Sequence, residues 1–107
     1  MLMISTVACA ADVTLEWDAM PAGQQWTAVR IYEHVGVNFT QVGEVAMPAT
    51  TIILRNVPTG PHAYVARSVA PIFVGSTQLE ESENSNEVTC IILAKPVSPT
   101  TLRIKIP

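Results

Sequence analysis

Apolar residues in this chain recur at every second position, and almost nowhere at the three-to-four spacing of a helix. Such alternation sends successive side chains to opposite faces of an extended backbone, so it marks half-buried β-strands. Asp12–Ala19 sets Val13, Leu15 and Trp17 against Thr14, Glu16 and Asp18. Trp26–His34 repeats the pattern, with Ala28, Arg30, Tyr32 and His34 opposite Thr27, Val29, Ile31 and Glu33. Further strands are expected at Asn38–Ala46, at the β-branched run Thr50–Val57, and at His62–Ala70 through Tyr64, Val65 and Val69. Glu87–Ala94 reads as a continuous apolar strand. Leu102–Ile106 reads as a short final one, alternating Leu102, Ile104 and Ile106 with Arg103 and Lys105. The breakers between them have a mechanism: in Pro58-Thr59-Gly60-Pro61 two prolines fix φ and a glycine admits positive φ. Gly75–Asn86 is polar, acidic and loop-like. Roughly six to eight short strands punctuated in this way form the pattern of an antiparallel β-sandwich.

Composition narrows the function classes. The 107 residues suffice for one domain. Hydrophobic residues at 49% are too many for a disordered chain. Charged residues at 14% fall well below the roughly 25% of an average soluble protein. A net charge of −3 leaves no basic footprint for nucleic acid, and no run approaches the ~20 apolar residues of a membrane span. Weakly charged surfaces associate, so a protein partner is expected, either further copies of the chain or a larger scaffold.

Three segments follow. Residues 1–11 are either an N-terminal strand or a signal-like segment: Ala8-Cys9-Ala10 fits a cleavage pattern, but no Lys or Arg precedes Arg30. Residues 12–94 form the sandwich. Residues 95–107 form a linker stiffened by Pro96 and Pro99, followed by the C-terminal strand.

Four motifs, in order, resemble the fibronectin type III family. Trp17 in Val13-Thr14-Leu15-Glu16-Trp17 resembles the core tryptophan of that family's strand B. Val29-Arg30-Ile31-Tyr32-Glu33 is similar to its strand C, and Asn56–Tyr64 looks like the corner leading to the tyrosine of strand F. Ser82-Glu83-Asn84-Ser85-Asn86-Glu87-Val88 resembles the serine- and asparagine-rich approach to strand G. The likeness runs from about Asp12 to Ala94 and is to the short stand-alone domains that bacteria and their phages encode. It implies an immunoglobulin-like sandwich whose core includes Tyr32. The family's first-strand pattern, however, stands at the C-terminus, as Pro99-Thr100-Thr101-Leu102-Arg103-Ile104-Lys105-Ile106. Such a strand either folds back into the first-strand slot of its own sandwich, pairs with a sheet edge of a neighbour, or frays.

Catalytic constellations are thin. His34 and His62 lie on separate elements without a neighbouring nucleophile, and Glu80, Glu81 and Glu83 match no calcium loop. No metal, cofactor or enzymatic activity is therefore expected. The expected function is a structural or adhesive module that mediates protein–protein assembly on a phage particle, filament or cell surface. The alternative is an accessory carbohydrate-binding module of a secreted protein. Candidate contacts are Trp26, as an exposed stacking surface or an edge cover, Phe73 in the Ala70–Asn86 connection, and Leu102, Ile104 and Ile106. Cys9 and Cys90 either form one disulfide in an oxidising compartment or stay free thiols.

Overall fold

A computed structural model describes residues 10–20 and 25–106. Within them the chain is all β. Its strands are β1 (Ala10–Glu16), β2 (Ala28–Val35), β3 (Asn38–Ala46), β4 (Thr51–Pro58), β5 (Gly60–Pro71), β6 (Leu79–Glu81) and β7 (Val88–Ile92). All pairings are antiparallel. β1 pairs with β4 in a sheet of two, and β3, β2 and β5 lie side by side in a larger one. β6 and β7 share the far edge of β5, opposite Val69–Pro71 and Gly60–Tyr64 respectively.

Strand alternation builds a core to which both sheets contribute. Val29 and Ile31 of β2, Leu54 and Val57 of β4, and Tyr64 of β5 are buried, with Val13, Leu15 and Trp17 packed against them. Burial raises the Tyr64 hydroxyl pKa to about 12. Tyr32 departs from the expected core. It shares the outer face with Arg30 and His34, because Val29 and Ile31 claim the inner one.

Beside a cavity of about 440 Å³ lined by Glu33, Val42, Ile52, Leu54, Val57 and Tyr64, β3 and β4 approach closely at one point. A Cβ on Gly43 of β3 would lie 2.6 Å from Ile52 Cδ1 and 3.3 Å from Leu54 Cδ2, so the absent side chain lets β3 and β4 close together. The β2–β3 hairpin turns through Gly36-Val37, with Gly36 at φ 62°. A glycine first in a two-residue loop suits the strand twist.

Several boundaries differ from the sequence reading: β1 begins at Ala10, inside the segment set apart as residues 1–11, and ends at Glu16, and the expected strand Glu87–Ala94 narrows to β7. The expected Pro58–Pro61 turn contracts to Thr59 alone, since Gly60 at φ 119° reverses the chain where other residues are strained. Within the expected loop Gly75–Asn86, Ile72 N–H donates to the Gln78 carbonyl and folds Leu79–Glu81 back as β6. Leu102–Ile106 is not a strand. It finds no pairing strand among the described residues, and extended backbone becomes sheet only through a ladder of hydrogen bonds.

Candidate functional site: an open groove between two strand edges

A second opening lies between β1 and β7. Among the described residues β1 bonds only to β4 and β7 only to β5, so each turns an unpaired edge toward the same groove. Val13, Leu15 and Trp17 form one wall, Val88 and Cys90 the other, and Ile31 and Tyr64 the floor of a cavity of about 380 Å³. Val13, Leu15, Trp17 and Cys90 are only half-buried, although their strands present them to the core. Glu16, Ser85 and Asn86 add polar groups at the rim. The arrangement is a slot for an extended backbone: unpaired N–H and C=O groups along the sides, apolar surface beneath.

Serines shape the rim where β6 gives way to β7. The Ser82 hydroxyl accepts the Ser68 N–H at 2.9 Å, while Ser82 N–H donates to the Ser68 carbonyl at 2.8 Å. Ser85 repeats this reciprocal pair with Ala66, at 2.9 Å each way. Side-chain oxygens thus replace main-chain acceptors, and the chain stays fastened to β5 while leaving strand conformation.

The outer face of the larger sheet carries the charges. Glu81 accepts hydrogen bonds from the Tyr32 hydroxyl, from Arg30 at 3.0 Å and from Arg67 at 3.1 Å. These donors, Tyr32 foremost, hold its carboxyl below the ordinary carboxylate range. Arg67 lies 4.2 Å over the Tyr32 ring, and Arg30 also pairs with Glu44 at 2.6 Å. His34 contacts Glu87 at 2.6 Å and stacks on Phe39. His62 contacts Glu33 at 2.8 Å, which raises its pKa. These groups satisfy one another in place and stitch β6 and β7 to the sheet. Neither histidine has a nucleophile beside it among the described residues.

The candidate contacts scatter. Trp26 is half-buried rather than displayed. Its indole N–H, like that of Trp17, is enclosed without an acceptor among the described residues. Phe73 is exposed at a tight turn closed by Ser76 N–H to the Phe73 carbonyl, between exposed Ile72 and Val74. Leu102, Ile104 and Ile106 are 94%, 90% and 82% exposed, the barest large apolar residues together with Val37 and Val97. Cys90 is a free thiol in the groove wall, while Cys9 and the rest of residues 1–9 lie outside the described residues. The sequence reading missed Ser82, Ser85 and the groove itself. Its signal for the groove was indirect: a first-strand pattern standing at the wrong end of the chain.

No family model, curated protein or solved structure matches this chain. Among the described residues no helix is long and apolar enough to cross a membrane.

Proposed function

We propose that the chain is a non-catalytic, fibronectin type III-like module that assembles protein on a phage particle, filament or cell surface by accepting a strand. In that reading β1 and β4 correspond to the family's strands B and E, and β3, β2, β5 and β7 to C′, C, F and G. The family's first strand would then lie beside β1, where the groove is. The observation that carries the proposal is the unpaired β1 edge beside half-buried Val13, Leu15 and Trp17. Natural proteins cover, charge or twist away such edges. This one lies over an apolar floor and has no partner strand among the described residues.

Low charge density and the apolar tip Ile72-Phe73-Val74 agree with burial against other protein. The carbohydrate alternative, built on Trp26 and the loop polar groups, draws less support, because Trp26 is half-buried and its indole N–H is enclosed. Amide hydrogen exchange tests strand addition whatever the source of the strand. β1 amides of assembled material from the native source should exchange far more slowly than those of the recombinant chain diluted to monomer. Equal exchange rates in the two samples end this reading.

A further inference from the structure

The groove and the C-terminal tail complement each other. Leu102, Ile104 and Ile106 offer three apolar side chains at strand spacing, and Arg103 and Lys105 alternate with them. Laid along β1, such a strand turns its apolar face onto Leu15 and Trp17. Its two cations then lie on the outward face, beside Thr14, Glu16 and Asp18, where opposite charges across strands attract. Glu16 and Asp18 make no ion pair with another described residue.

Direction selects the donor. Ala10 of β1 pairs with Pro58, and Ile92 at the end of β7 pairs with Gly60, so the tail leaves from the pole where β1 begins. A strand antiparallel to β1 must enter from the opposite pole, at Trp17. The tail of the same chain would have to climb the domain and reverse, yet Leu93–Thr101 contains Pro96 and Pro99 and no glycine. At the polyproline rise Leu93–Thr100, up to the left-handed Thr101 at φ 56°, covers about 25 Å outward from its own domain. It therefore delivers Leu102 to the entry pole of a domain stacked below, with no reversal.

We propose that Leu102–Ile106 of one copy fills the β1–β7 groove of the next, antiparallel to β1, joining copies head to tail. The contact is heterologous, so each copy donates and accepts once and the assembly grows as an open filament or ring. The proposal rests on the strand-addition reading and adds the identity of the strand.

The test uses the full chain. Cys90 in the groove wall reports occupancy when Ile104→Cys is introduced on a Cys9→Ser background and the protein is oxidised. A ladder of dimers and higher multimers on a non-reducing gel is expected. A crosslinked monomer, or no crosslink, overturns the proposal. In sedimentation, wild type should grow with concentration, while Leu102→Asp/Ile104→Asp stays monomeric. Both substitutions are in exposed positions, so folding is not at risk. If that variant associates as wild type does, the tail is not the donor. Slow β1 exchange persisting in the purified variant would assign the strand to another segment of the chain, and slow exchange persisting only in variant assembled in its native source would assign it to another protein; either leaves the strand-addition reading standing.

Discussion

Replacing Ser82 with alanine tests whether side-chain oxygens maintain the edge of the larger sheet. The substitution removes the acceptor of the Ser68 N–H, and Ser68 is only 8% exposed. An unpaired buried amide costs about 1–3 kcal/mol. Ser82 itself is exposed, so water recovers part of this, and a loss of about 1.5 kcal/mol is expected. For a domain near 100 residues that corresponds to a fall in Tm of roughly 6–12 °C. The equivalent change at Ser85 strands the Ala66 N–H in a more exposed setting, so Ser85→Ala should cost well under half as much. Urea denaturation gives both energies, and amide exchange at Ser68 locates the first. Ser82→Thr, which keeps the oxygen, should exchange as wild type does. Equal costs for the two alanine variants, or an unchanged Ser68 exchange rate in Ser82→Ala, would refute the reasoning.

Stability should respond to pH at two groups with opposite sign. The Glu81 carboxyl has a lowered pKa in the folded chain, so its contribution is present above the ordinary value of 4.5 and lost as pH falls through the lowered one. Glu81→Gln should flatten the acid side of a plot of urea midpoint against pH. His62 has a raised pKa, so its contribution is complete below 6.5 and lost as pH rises through the raised value. His62→Gln should remove that neutral-to-alkaline decline and leave the acid side intact. Gly43→Val sets a branched side chain against Ile52 and Leu54, and overpacking there should cost about 1–3 kcal/mol by the same denaturation assay.

What the sequence made legible follows from the physics of alternation. Val13, Leu15, Val29 and Ile31 face inward because period two allows them nothing else once one face is buried. The same rule could not say which face of β2 wins. Ala28, Tyr32 and His34 compete with Val29 and Ile31, and packing against Leu54 and Tyr64 decided for the aliphatic pair, leaving Tyr32 to stack with Arg67 outside. β6 was hidden because Leu79–Glu81 is too short and acidic to read as a strand; Arg30 and Arg67, distant in sequence, hold its Glu81. Ser82 and Ser85 look like any polar loop until their register against Ser68 and Ala66 is known. The groove was least visible, since an unpaired edge is a property of which strands meet and not of any residue.

That edge also bears on stability, because a sheet of two strands is marginal in water and relies on what packs against it. β1 and β4 cover the core with three half-buried side chains along an open flank, so a strand added at β1 stabilises the fold as well as joining copies. Burying Leu102, Ile104 and Ile106 contributes roughly 1.5–3 kcal/mol each, against an association cost of about 4–15 kcal/mol. The two are of similar size, so the proposed joining would be weak in dilute solution and strong where copies are concentrated on a scaffold. Linkage then makes melting concentration-dependent, adding about 2.7 kcal/mol once the free chain exceeds its dissociation constant a hundredfold. Calorimetry across a concentration series should raise the wild-type Tm and leave Leu102→Asp/Ile104→Asp flat. Two flat series would mean that the groove takes no strand from its own kind, and two rising ones that the strand comes from elsewhere in the chain.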